Sequence, residues 1–175
     1  MSESSTKLKF LFVTHRWGDA VPGSGESVTV PHLIDTFCEW GKGEHAIIWT
    51  DECFHGGSDV TAMIRSTIRE FNPDIIAYTP IPAGALEAQN VPARAMRSFG
   101  RKTVSFFFDL ANVDLRRLSE AYAAVSDLCV NVDGCQEKIG RNFLSLWPAR
   151  TKRLTTLISG MSRSLLKMEE RRCSP

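Results

Sequence analysis

The chain has almost no net charge: 21 Lys and Arg stand against 20 Asp and Glu, leaving +1. No global field therefore draws it to nucleic acid. Long apolar runs are missing as well. Residues 1–6 are polar, and the run Leu8–Val13 is too short for a secretory core or a membrane span. The five cysteines, Cys38, Cys53, Cys129, Cys135 and Cys173, include no CxxC pair. That spacing points to neither a zinc site nor a disulfide framework, and the expectation is no metal and no cofactor. Scattered cysteines in apolar segments suit a reducing compartment, so a soluble cytoplasmic protein is expected. No lysine follows the glycine turn of residues 23–25, which excludes a Walker loop, and no GxSxG is present. Internal repeats, linkers and low-complexity tracts are also lacking.

What is present begins with KFLFVTHRWGDAVPGSGE, Lys9 to Glu26. Leu8 to Thr14 reads as a strand covered on both faces. A long loop with His15, Arg16, Trp17 and Asp19 follows, then Gly23-Ser24-Gly25-Glu26. If a helix starts there, its N–H groups and dipole suit a phosphate. The same residues equally suit an ordinary strand–loop–helix connection.

Farther along, a helix is expected over roughly Glu26 to Trp40, either kinked at Pro31 or starting near it. Strands are expected at HAIIWT (45–50), DIIAYT (74–79), KTVSFFF (102–108) and DLCVNV (127–132), with Leu154–Ile158 as a short sixth. A Gly/Ser loop is expected at Phe54–Ser58. A helix capped by Ser58 or Asp59 should run to Phe71, with Val60, Met63, Ile64, Thr67, Ile68 and Phe71 on its apolar face. Further helices are expected over Ala83–Phe99, divided by Pro92, and over Val113–Val125 and Gly134–Phe143. The alternation implies an α/β fold: a Rossmann-like three-layer sandwich with a mostly parallel sheet of five to six strands. It should span residues 7–161, with 162–175 as a helical tail. In such sheets ligands bind beyond the carboxyl ends of the strands. The loops His15–Glu26, Asp51–Gly57, Thr79–Gly84 and Asp109–Asn112 are thus the functional candidates.

A dinucleotide fingerprint is not met. Val28 stands where GxGxxG needs its last glycine, and a long loop separates the strand from Gly23. Asp51 alone sits where a ribose-binding acid belongs.

The order of segments resembles another family. Gly23-Ser24-Gly25-Glu26 resembles a GGxE turn, and Glu44-His45-Ala46-Ile47-Ile48 a GHEV-type strand. Asn72-Pro73-Asp74-Ile75-Ile76-Ala77-Tyr78-Thr79 is similar to PDVVHAHS, and Gly100 to Asp109 to GRKPVVYTLHD. Val125 to Asp133 is similar to ADAVIAVSE, and Leu154 to Met161 to VxVIPNGV. Together these resemble the N-terminal, acceptor-side domain of GT-B glycosyltransferases of the family-4-like type. The resemblance implies sugar transfer from a nucleotide-sugar to a hydroxyl-bearing acceptor, with a donor-binding second-domain protein or a homo-oligomer completing the site. It departs from the family in Phe108, where histidine is usual, and in Ser24.

On that reading Gly23, Ser24, Gly25 and Glu26 face a diphosphate. His15, Asp109 and Asn112 hydrogen-bond an acceptor, Trp17 stacks on a sugar, and the catalytic residues stay unassigned. Each has a structural alternative: a loop anchor for Trp17, a helix cap for Asp109, a turn for Asn112, solvent for His15. The alternative function is a non-catalytic phosphate- or nucleotide-binding module of Rossmann or flavodoxin-like fold.

Overall fold

The computed structural model describes residues 7–41, 43–81, 87–107, 118 and 120–131. Among the described residues five strands form one sheet: β1 (Leu8–Thr14), β2 (Gly43–Trp49), β3 (Ile75–Tyr78), β4 (Lys102–Phe107) and β5 (Leu128–Asn131). Their order is β2-β1-β3-β4-β5, and each pairing is parallel. The registers Leu8↔Gly43, Phe10↔Ile75, Ile75↔Lys102 and Val104↔Leu128 fix the strands side by side. The expected α/β architecture is therefore observed. The candidate sixth strand, the helix over Gly134–Phe143 and the tail lie outside the described residues, as does most of the helix expected over Val113–Val125.

Apolar side chains alternate to the two faces of the central strands, as the two-residue repeat of a strand requires. Leu11, Val13, Ile48, Ile64, Ile76, Tyr78, Met96 and Phe107 build the larger core. Phe12, Leu33, Ile34 and Ala77 build the other, flanked by Phe10 and Phe37. Gly43 lets these layers close. A Cβ there would stand 2.5 Å from the Phe37 ring and 3.0 Å from the Leu8 carbonyl.

The helix after β1 starts beside Pro31, one of the two expected forms, and helices depart from expectation at two other places. The stretch after β1 becomes helical as a π-turn, Val30–Asp35, that continues as α1 (Thr36–Trp40). Pro31 sits at its head, where a missing N–H costs nothing. The expected Gly/Ser loop is shortened, because β2 runs directly into α2 (Thr50–His55), with Asp51 and Glu52 in its first turn where acids suit the dipole. Finally, the stretch expected as one divided helix is a 3₁₀ turn at Glu87–Gln89, then α4 (Ala93–Met96) and another 3₁₀ turn at Arg97–Phe99.

The long helix α3 (Val60–Phe71) does form, with Asp59 Oδ1 accepting the Thr61 N–H at 2.8 Å. Of its expected apolar face only Ile64 is fully buried, and Met63 is 44% exposed.

Two carboxylates clamp neighbouring strands at the amino end of the sheet. Asp74, just before β3, accepts the Lys9 N–H at 2.8 Å and returns its own N–H to the Lys9 carbonyl. Asp127, just before β5, accepts the Thr103 N–H at 2.9 Å and donates back to the Thr103 carbonyl. Burial disfavours the Asp127 carboxylate, but the Thr103 and Lys102 donors outweigh it and hold its carboxyl below the usual range.

The loop after β3 is pinned by a buried polar knot. Tyr78 Oη donates to Asn90 Oδ1 at 2.7 Å, Asn90 Oδ1 accepts the Ile81 N–H at 2.8 Å, and Tyr122 Oη donates to the Val91 carbonyl.

The cysteines differ sharply in surroundings. Cys38 is exposed, whereas Cys53 and Cys129 are buried. Burial pushes the Cys129 thiol up to about 12, and burial with the Glu52 and Asp51 charges raises that of Cys53. A thiol reagent at neutral pH is expected to modify Cys38 about 100-fold faster than either, read by peptide mass spectrometry. Equal rates would contradict the two-sided core.

Candidate functional site

Strand order β2-β1-β3-β4-β5 reverses direction between β1 and β3, so the switch-point crevice opens beyond Thr14 and Tyr78. A small hairpin rises there from the end of β1. Trp17 and Glu26 form an antiparallel bridge, Ser27 N donates to the Arg16 carbonyl, and Gly18 N to that of Gly25, both at 2.8 Å. Its tip bends through Asp19 and Ala20 at φ of 51° and 53°, a left-handed conformation rare outside glycine.

The base of the hairpin is held by Asp51, which is fully buried at the end of β2. Its carboxylate accepts the N–H of Arg16 at 3.0 and 3.1 Å, of Trp17 at 2.9 Å and of Glu52 at 3.0 Å. The side chain expected to stand where a ribose-binding acid belongs is thus committed to backbone. His55 Nε2 meets the Ala20 carbonyl at 3.4 Å and ties the strained tip to α2.

The sequence-derived residues gather in this hairpin. His15 stands at its root, half-buried. Trp17 is half-buried in the stem, with the Arg16 guanidinium 5.2 Å over its ring and an Arg16–Glu52 ion pair at 2.8 Å alongside. Gly23 and Gly25 take φ of 84° and 99° in open space. Ser24 Oγ bonds the Gly18 and Val21 carbonyls, and Glu26 is exposed. No helix begins at this turn. The chain turns helical only near Val30, where Thr29 N and Val30 N are already bonded to Ser27. Asp109 and Asn112 lie outside the described residues.

Three further side chains complete the edge: Thr79, which opens one of the expected candidate loops, and Thr50 and Gln89, which sequence reasoning passed over. Buried side-chain polar atoms without a hydrogen-bond partner are His15 Nδ1, Thr50 Oγ1, Thr79 Oγ1, Gln89 Oε1 and Arg101 Nε, among the described residues. The first four belong to segments that follow β1, β2 and β3, at the carboxyl side of the sheet. Arg101, before β4, is at the other end. Thr50 and Thr79 were legible as lone hydroxyls closing apolar strands. Gln89 carried no signal, because it depends on how the loop after β3 folds back.

Burial holds the His15 imidazole below its usual range, against the opposing pull of the Asp51 and Asp19 charges. Beside α2 a pocket of about 210 Å³ opens, walled by Thr50, Phe54, Asp59, Val60, Gln89 and Pro92, among others. Among the described residues no three of His, Cys, Asp and Glu are placed to hold a metal ion. None of the helices there is long and apolar enough to cross a membrane.

Removal of the Asp51 carboxylate leaves three N–H groups short of an acceptor. Asp51→Ala is expected to lower stability by about 3 kcal/mol in denaturant unfolding and to speed amide exchange at Arg16 and Trp17. Unchanged exchange there would show that the hairpin stands without the clamp.

No protein-family model matches the chain, and no curated protein does. Among solved structures it is similar to a signal receiver domain of a Luxo repressor protein from Vibrio parahaemolyticus. That match is 11% identical, covers 97% of this chain and 100% of that one, and has a TM-score of 0.39. Such a score transfers no function. The solved structure named is a signal receiver domain and not a GT-B glycosyltransferase domain, and no family model supports one, so the resemblance drawn from motif order is withdrawn, together with the sugar transfer, nucleotide-sugar donor and split enzyme it implied. The physical reason lies in the motifs. The Pro-Asp and Ser-Asp pairs before β3 and β5 are strand clamps, a structural role independent of any ligand. The GGxE-like turn is a closed hairpin tip and opens no helix. What stands is a Rossmann or flavodoxin-like α/β module.

Proposed function

We propose that the chain is a non-catalytic binding module of flavodoxin-like shape that takes a phosphate- or nucleotide-class ligand at the carboxyl edge of its sheet. One observation carries the reading. His15 Nδ1 and Thr79 Oγ1 flank the β1/β3 switch point, and both are buried without a partner. Unsatisfied buried polar atoms are uncommon and costly, so their gathering at the edge where this topology binds ligands supports a missing hydrogen-bonding group. The 2-1-3-4-5 strand order supports it independently, since flavodoxin itself, the worked case of the general rule, places its ligand at this switch point.

An oxyanion suits these two groups. The Thr79 hydroxyl donates to it, and the His15 ring donates once protonated at Nδ1. The free imidazole is held neutral by burial, and a bound anion favours the charged form. Binding therefore takes up a proton, and affinity rises as pH falls.

Inorganic sulfate keeps its charge across the histidine range and separates protein protonation from ligand protonation. Titrated by NMR, it should shift the His15 ring and the Thr79 amide, and bind about tenfold tighter near pH 6 than near pH 8. Thr79→Val should weaken it at both pH values. Shifts confined to the exposed residues of the hairpin tip, or none, would overturn the reading.

A further inference from the structure

We infer that the pocket between α2, the head of α3 and residues 88–92 receives the amino-bearing ring of a small heterocycle of nucleobase type. The inference rests on the nucleotide side of the proposed function and names where the base lies.

The pocket measures about 210 Å³, room for a single small ring system. Its walls are of two kinds. Phe54, Val60 and Pro92 offer apolar surface for the faces of a ring. Thr50, Asp59 and Gln89 offer oxygen acceptors. Thr50 and Gln89 are 1% and 2% exposed, and Thr50 Oγ1 and Gln89 Oε1 have no partner in the protein. Gln89 Oε1 lacks a donor, and the Thr50 hydroxyl can accept from the same group.

An anion is disfavoured here. The head of α3 already carries its own acid: Asp59 Oδ1 accepts the Thr61 N–H at 2.8 Å, and the Asp59 carbonyl accepts that of Met63 at 3.0 Å. The positive end of the helix is thereby satisfied, and a phosphate in this pocket would face a carboxylate. The neighbouring Asn90 is also committed, its Oδ1 to Tyr78 Oη and the Ile81 N–H. The recognising oxygens are therefore Gln89 Oε1, Asp59 and Thr50 Oγ1, and the matching chemistry is an exocyclic amine on a flat apolar body.

Adenosine and inosine test this directly, because they differ at the exocyclic amine and neither carries phosphate. Backbone NMR titration should move residues 58–61 and 88–90 with adenosine, which should bind about tenfold tighter than inosine. Gln89→Leu should bring adenosine down to the inosine level without lowering the unfolding midpoint, since it removes an unpaired oxygen. Asp59→Asn keeps the helix cap and should also weaken adenosine. Equal affinity for the two nucleosides, tightening by Asp59→Asn, unfolding of Gln89→Leu, or no shift in the pocket would overturn the inference. Because sulfate reports on His15 and Thr79 alone, a failure in the pocket is distinguishable from a failure at the switch point.

Discussion

One buried carboxylate, Asp51, ties the end of β2 to the chain leaving β1. It accepts N–H groups from Arg16, Trp17 and Glu52, and it is fully buried among them. Backbone donors replace the water that an ionised group would otherwise need. The clamp fixes where the hairpin leaves the sheet, and the hairpin in turn places His15 at the switch point. The left-handed residues Asp19 and Ala20 are tolerated because this frame, with His55 from α2, holds the tip in place.

The two ends of the sheet treat their polar groups differently. At the amino end Asp74 and Asp127 each exchange a pair of bonds with the adjacent strand. Inside the loop after β3, Tyr78, Asn90 and Tyr122 satisfy one another and the backbone. At the carboxyl end, by contrast, His15, Thr50, Thr79 and Gln89 keep a buried atom unpaired. Apart from Arg101 Nε before β4, the described residues satisfy their buried side-chain polar atoms elsewhere, and the fold gains nothing in stability from these four. The proposed function supplies a reason to retain them, a hydrogen-bonding ligand.

Much of the architecture was legible. Apolar runs at Leu8–Thr14, Ile75–Tyr78 and Lys102–Phe107 could only be strands covered on both faces, and their spacing required parallel pairing. The stop after Phe71 was written in Asn72-Pro73, and the cap in Asp59. Family identity was not legible, because Asp74 and Asp127 serve as backbone clamps between strands, a role that says nothing of what the sheet binds. The site was half legible. Position after a strand pointed to the loops holding His15 and Thr79. It could not show that Asp51 turns inward to backbone, that Gly23–Glu26 closes on itself, or that Gln89 swings back beside Thr50. The first and last depend on contacts between residues 30 or more apart in the chain, as in the Asp51 bonds to Arg16 and Trp17, and the second on a bridge between Trp17 and Glu26.

The central claim is that the unpaired polar groups at the carboxyl edge are kept for a ligand and contribute nothing to the fold. Denaturant unfolding of the ligand-free triple variant Thr50→Val, Thr79→Val, Gln89→Leu measures it most directly. Each change removes one unpartnered oxygen and keeps the side chain close to its original size. The account predicts a midpoint equal to or above that of the unaltered chain. A loss of about 1 kcal/mol or more per site would contradict it, because the oxygens would then be bonded within the protein itself.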